Sequence, residues 1–232
     1  MIPFSEFEKH CQDMRERVER ACDASARRPE SVRILPVTKG HPVEAILHAE
    51  KAGFKSVGES RVQEALGKQN CEHCPESIQW ELIGHLQSNK SGEAAQCFSR
   101  IQSVDSEKLL RRLERHGSDL GRPMRILIQV NAGEDPAKYG VRCEEVEKLL
   151  EAALTCRHLS VEGLMTIAPL SENPGLARRC FARLRETRDQ LRKSTGLSLD
   201  ELSMGMTDDL EEAIAEGSTQ VRLGRALYGE RE

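Results

Sequence analysis

Apolar positions along the chain follow two alternating rhythms. Short runs rich in β-branched residues recur at 32–37, 55–58, 79–83, 100–104, 125–131, 159–167, 200–204 and 219–223. Each has the length and composition of a buried strand. Between them apolar residues return every three or four positions, at 43–52, 60–69, 88–97, 106–117, 143–155, 174–195 and 208–216, and a last short helix starts near Arg225. That spacing gathers the apolar side chains on one helix face. A polar helical segment precedes the alternation, with Phe7, Cys11, Met14, Val18 and Cys22 recurring between Ser5 and about Ala26.

Strands separated by helices predict parallel pairing, because parallel neighbours need a crossover connection. Eight such units predict the α/β class and a single (β/α)8 TIM-type barrel with an extra N-terminal helix. The reading is one domain over 1–232, with 1–28 a helix that packs on the barrel. An open doubly wound sheet is the alternative. Against it, no GxGxxG follows an early strand and no composition break separates two halves. The stretch from Gly117 to Pro123 reads as a loop rather than a linker.

Composition narrows the function classes. Hydrophobic residues make up 38% and charged residues 31% of the 232, which describes a globular chain rather than a disordered one. The net charge of −4 argues against nucleic acid as a partner. Arg111-Arg112 and Arg178-Arg179 alternate with acids on helices and read as solvated faces. The N-terminus lacks a basic segment followed by an apolar core. No run approaches the ~20 apolar residues of a membrane span, so the expected compartment is the cytoplasm. The eight cysteines are irregularly spaced and several fall inside helices, so reduced thiols are expected. Cys71-Glu72-His73-Cys74 is a lone CxxC in a polar loop without a second ligand pair, and a metal or redox role is not expected of it.

In a barrel of this kind the chemistry collects at the C-terminal ends of the strands. Lys39 follows the first strand. It either marks where the strand reaches solvent or is a desolvated amine, whose lowered pKa would let it attack an aldehyde. Gly58-Glu59-Ser60 ends the second strand and Gly84-His85 the third. His85 is either a general acid or base or a hydrogen-bonding rim residue. The loop from Asp135 to Gly140 is either a lid or an ordinary connection. Ser203, Gly205 and Thr207 close the seventh strand, and Arg222 and Gly224 the eighth. Barrels often seat a phosphate there, on hydroxyls, close backbone and a short helix N-terminus. Thr207 serves equally as a helix N-cap, and Asp208 with Glu211 resembles a capping box. The start of the final helix at Gly224-Arg225 is the better anion seat. Arg222, in an otherwise apolar strand, requires either a carboxylate partner or a ligand.

Six segments in order carry a resemblance. They are Val37-Thr38-Lys39, Gly58-Glu59-Ser60-Arg61-Val62-Gln63-Glu64, Ile83 to Lys90, Gly163-Leu164-Met165-Thr166-Ile167, Leu202 to Asp209, and Val221 to Gly229. With them the chain resembles, over essentially its whole length, the pyridoxal phosphate homeostasis proteins, which are similar in fold to the N-terminal barrel of bacterial alanine racemases. The resemblance implies that Lys39 carries pyridoxal 5′-phosphate as a Schiff base. It implies that Ser203, Thr207 and the backbone near Gly224 hold the phosphate, that Arg222 faces the pyridine nitrogen and that Met165 lines the ring pocket. The family's usual asparagine near the cofactor is Ser60 here, and a water-mediated contact is expected in place of an amide.

An arginine at the ring nitrogen keeps its proton, so the ring is a weak electron sink. Racemisation needs a base on each face of the substrate, and racemases take the second, a tyrosine, from an additional domain. The chain ends soon after its eighth strand and has only Tyr139 and Tyr228. The expected function is therefore to bind, buffer and hand over pyridoxal phosphate, as a monomer, with pyridoxal-phosphate-dependent apoenzymes as recipients. A small amino-acid racemase and a cofactor-free Schiff-base enzyme acting on sugar phosphates are the alternatives.

Overall fold

The computed structural model describes residues 1–171 and 173–230. Among the described residues the strands are β1 (Arg33–Pro36), β2 (Ser56–Glu59), β3 (Gln79–Leu82), β4 (Arg100–Val104), β5 (Met124–Gln129), β6 (Leu159–Met165), β7 (Glu201–Ser203) and β8 (Gln220–Leu223). The helices are α1 (Phe4–Ala24), α2 (Glu44–Lys51), α3 (Val62–Gln69), α4 (Ser91–Cys97), α5 (Glu107–Asp119), α6 (Val146–Leu154), α7 (Pro174–Thr195), α8 (Leu210–Ala215) and α9 (Arg225–Tyr228). Each strand and helix that the apolar pattern predicts is present, within a few residues of its expected ends.

All strand pairs are parallel, in the order β1-β8-β7-β6-β5-β4-β3-β2. The two ends of this sheet meet through a bridge between Val37 and Gly58, where the Thr38 N–H donates to the Gly58 carbonyl at 3.0 Å. The barrel therefore closes immediately beside Lys39. A second close approach lies next to it. A Cβ on Gly84 would fall 2.1 Å from the Ser60 carbonyl oxygen, so only glycine lets the chain after β3 pass the end of β2.

The main apolar core lies between strands and helices and includes Ile46, Leu82, Ile101, Leu113, Ile126 and Phe181. Helix α1 adds a satellite core, in which Phe7, Cys11, Val18 and Cys22 pack against Leu210, Ile214 and Leu227. Phe7 stacks on Tyr228 with ring centroids 4.9 Å apart. Its start at Pro3 has no side-chain cap, so packing rather than capping holds this helix.

The lumen is polar at its N-terminal end. Arg100, 1% exposed, donates to Glu81 (2.7 Å) and to Gln220 (3.1 Å), and its other arm meets Glu162 and Glu201. Gln102, two residues on and so on the same strand face, donates to Glu81 at 2.6 Å and to Gln220 at 2.9 Å. Burial pushes the Glu81 carboxyl up, but the charges of Arg100 and Arg33 outweigh it and hold the pKa below the usual value. A buried charge of this kind is tolerated because every member has a partner.

Candidate functional site

A cleft of about 430 Å³ opens at the C-terminal ends of strands that include β1, β2, β7 and β8. That is within the range of small-molecule sites. Lys39, Ser60, Thr207, Arg222 and Gly224 all line it, although they come from four separate strand ends. Lys39 is half-buried, in the turn that follows β1, and Gly40 behind it takes a left-handed φ of 73°. A side chain at Gly40 would strain that turn.

Arg222 is 4% exposed. Its Nη1 donates to the Ser203 hydroxyl at 2.8 Å and its Nη2 to the Thr166 carbonyl at 2.7 Å. Those two bonds leave other N–H groups of a five-donor guanidinium for the cleft. No carboxylate among the described residues comes within ion-pairing distance. Burial lowers the pKa to about 10, against the opposing pull of Asp209, so the group stays charged at neutral pH. The paired-rim-arginine alternative is thereby set aside: this cation is buried, faces the cleft and is bonded only to neutral groups.

Ser203 and Met165 are placed differently. Both are fully buried and neither lines the cleft. The Ser203 hydroxyl donates to Gln102 Oε1 at 2.6 Å and accepts from Arg222. It lies one layer down, as a link between the cleft arginine and the polar lumen. Met165 is the last residue of β6, and Ile167, two residues on and past the strand end, is the one that lines the cleft.

Thr207 lines the cleft and does not cap α8. The N-cap position is Asp209, whose carboxylate accepts from the Met206 N–H at 2.6 Å. The expected capping box of Asp208 and Glu211 is not formed, because both carboxylates have other partners. Asp208 pairs with Arg225 at 2.5 Å across the cleft wall, which offsets its charge there. Glu211 pairs with Arg17 of α1, whose Nη1 also donates to the Thr207 carbonyl at 2.8 Å. Gly224 brings β8 against β1: a Cβ there would sit 3.3 Å from the Val37 carbonyl oxygen. Helix α9 begins at the next residue.

Other singled-out residues lie away from the cleft. His85 is exposed, with Nδ1 3.4 Å from Asp105, and its ring stacks on Tyr139 at 3.8 Å and 8°. The Asp135–Gly140 loop is held at its end by Gln129, which donates to the Tyr139 carbonyl at 3.2 Å. Tyr228 is buried and donates its hydroxyl to the Ala45 carbonyl at 3.1 Å, so it packs the last helix. Cys71 and Cys74 are half-buried free thiols joined by a tight turn, and burial pushes Cys74 up. No cluster of three metal-ligating side chains occurs among the described residues. No helix among them is long and apolar enough to cross a membrane. Sequence reasoning missed His41, Met206 and Glu230, which also line the cleft. Their signal was position alone, within a few residues of the ends of β1, β7 and α9.

A lysine and a buried arginine facing one cleft at the mouth of an eight-stranded parallel barrel define a class, and the family model described as alanine racemase, N-terminal domain, matches residues 10–232. An alanine racemase of Clostridium difficile superposes with a TM-score of 0.80 at 13% identity, covering 97% of this chain and 57% of its own, a likeness of fold. The pyridoxal phosphate homeostasis protein of Pseudomonas aeruginosa is 39% identical over 216 residues, 93% of this chain and 92% of its own. PipY of Synechococcus elongatus, a structure with pyridoxal phosphate bound, superposes with a TM-score of 0.82 at 37% identity, covering 91% of this chain and 99% of its own. The chain belongs to the pyridoxal phosphate homeostasis protein family within the alanine racemase N-terminal domain class.

Proposed function

We propose that this protein binds pyridoxal 5′-phosphate reversibly on Lys39 and serves to hold and hand over the cofactor rather than to turn over a substrate. The observation that carries the reading is the buried guanidinium of Arg222, bonded to neutral partners and facing the same cleft as Lys39. A buried cation of this sort is costly unless a ligand acceptor meets it. The cofactor, when bound, supplies an aldehyde for an amine and an electron-withdrawing ring.

The residues divide the work. Lys39 Nζ holds the aldehyde carbon. Arg222 donates a hydrogen bond to the ring nitrogen and keeps its own proton, which disfavours deep carbanion chemistry. The Thr207 hydroxyl, the backbone at Gly224 and the nearby Arg225 receive the phosphate. Ser60 offers a hydroxyl at the β2 end, and a water completes its contact. Ser203 acts from below by fixing Arg222, and Met165 supports the ring pocket from the buried layer beneath Ile167.

Neither tyrosine supplies a second base. Tyr228 is buried with its hydroxyl bonded to Ala45, and Tyr139 lies outside the cleft lining. The open mouth suits release to pyridoxal-phosphate-dependent apoenzymes in the cytoplasm. We read 1–232 as one barrel domain with α1 packed on it, acting as a monomer.

Protein incubated with pyridoxal phosphate is expected to turn yellow. Borohydride should bleach the band and leave the label on Lys39, and Lys39→Ala should abolish the band. A Lys39→Ala protein that keeps the wild-type band would overturn the assignment. Deuterium from solvent appearing at the α-carbon of L-alanine at enzymatic rates would replace the carrier reading with a racemase.

A further inference from the structure

The turn that presents Lys39 is gripped from beneath by a second lysine. Lys68, on α3, is 9% exposed, and its ammonium has three acceptors. They are the Thr38 carbonyl at 2.8 Å, Glu59 Oε1 at 2.5 Å and Glu64 Oε1 at 2.8 Å. An ammonium has three N–H donors, so its capacity is filled. Each acceptor leads to a residue that flanks Lys39. The carbonyl belongs to Thr38 itself. Glu59 Oε1 also accepts from the Thr38 hydroxyl at 2.7 Å, and Glu64 Oε1 also accepts from the Gly40 N–H at 2.5 Å.

We infer that Lys68 is a positioning residue for Lys39, holding the Thr38–Gly40 turn so that the Lys39 amine is presented to the cleft. The inference rests on the cofactor reading above. A lysine side chain is flexible, so the backbone is the part that can be fixed in advance. Here the residue before Lys39 is held at its N–H, its carbonyl and its hydroxyl, and the residue after it at its N–H. A site whose supporting contacts are made before the ligand arrives spends less of its binding free energy on ordering. One ammonium here serves two carboxylates. Glu59 is fully buried, and burial raises its pKa despite the hydrogen bond and charge of Lys68. Burial also pushes Glu64 up, but its bonds from Lys68 and the Gly40 N–H bring it below the usual value. Both carboxylates thus depend on the one ammonium, and the turn depends on both carboxylates.

Two variants separate positioning from stability. Lys68→Met leaves Glu59 buried without a cation and is expected to lower Tm. The double variant Lys68→Met/Glu59→Gln removes the orphaned charge while keeping an acceptor for the Thr38 hydroxyl, so its Tm should return toward that of wild type. In both, protein-bound pyridoxal phosphate diluted into excess hydroxylamine should lose its visible band at least about tenfold faster than in wild type, the size expected for a lost charged hydrogen bond. In both, the Gly40 amide of the cofactor-free protein should exchange its hydrogen faster by a similar factor. If the double variant releases the cofactor and exchanges Gly40 at wild-type rates, Lys68 has no positioning role. If wild-type protein forms no visible band, the cofactor reading fails instead, and Gly40 exchange alone then decides whether Lys68 holds the turn.

Discussion

Arg222 donates to the hydroxyl of Ser203 at 2.8 Å, and the same hydroxyl donates onward to Gln102. The bond makes Ser203 the upper end of a polar chain that runs through Gln102 and Gln220 to Arg100 and Glu81. The cleft arginine is therefore oriented by the barrel interior rather than by a carboxylate. Its charge is left for whatever occupies the cleft.

Arg222→Met tests that arrangement. The arginine has no ion-pair partner to orphan, and Ser203 keeps its bond to Gln102. The main loss is one donor to the Thr166 carbonyl. Replacing an unpaired buried cation by an apolar side chain of similar length is often close to neutral. The expected outcome is a Tm within about 4 °C of wild type, on the scale of about 1 kcal/mol for a chain of this size. Affinity for pyridoxal phosphate, followed by titration of the visible band, should fall at least about tenfold, as for loss of a charge-assisted bond. Unchanged affinity would remove Arg222 from the site.

Helix α1 reaches the same site from outside the barrel. Arg17 holds Glu211 in a two-point contact and donates to the carbonyl of Thr207, a cleft residue. Arg17→Ala should weaken cofactor binding about three- to tenfold and lower Tm by about 2–4 °C, the size of one or two modest hydrogen bonds. Arg20→Ala, a turn away with a side chain 69% exposed, should change neither. Equal behaviour of the two variants would show that α1 does not tune the Thr207 loop.

The barrel was legible because its signals are local. Short apolar, β-branched runs and recurrence of period 3.6 survive from unit to unit, and tertiary packing reinforced them. Depth within the barrel was not legible. Ser203 and Thr207 are hydroxyl residues at and just after the end of β7, yet one is sealed below the cleft and the other lines it. The sequence shows which face of a strand a residue takes but not which layer, because layers depend on the stagger between strands. Arg100 is the clearest case. Its partners come from β3, β6, β7 and β8, and no spacing along the chain announces them. Lys68 hid for the opposite reason. With Glu64 four residues before it, it has the pattern of an ordinary exposed helix pair, and only burial reveals its second and third bonds.

The lumen cluster also sets an acid dependence. The folded pKa of Glu81 lies below its ordinary value of 4.5, because Arg100 and Arg33 outweigh the upward push of burial. A depressed carboxylate contributes stability that is fully present above the unfolded pKa and is lost as pH falls through the folded one. Glu59 acts with the opposite sign. Its folded pKa is raised, so its contribution is present below the unfolded value of 4.5 and is lost as pH rises through the folded value. Glu81→Gln isolates the first effect, since Glu59 is common to both proteins. At pH 7 the variant leaves Arg100 with weaker compensation and should melt several degrees lower, corresponding to roughly 2 kcal/mol or more for a broken buried pair. Below about pH 4.5 the wild type gives up the contribution that the variant never had, and the two melting temperatures should converge. A gap that stays constant from pH 7 down through that range would mean that the Glu81 carboxylate is not the titrating member of the cluster.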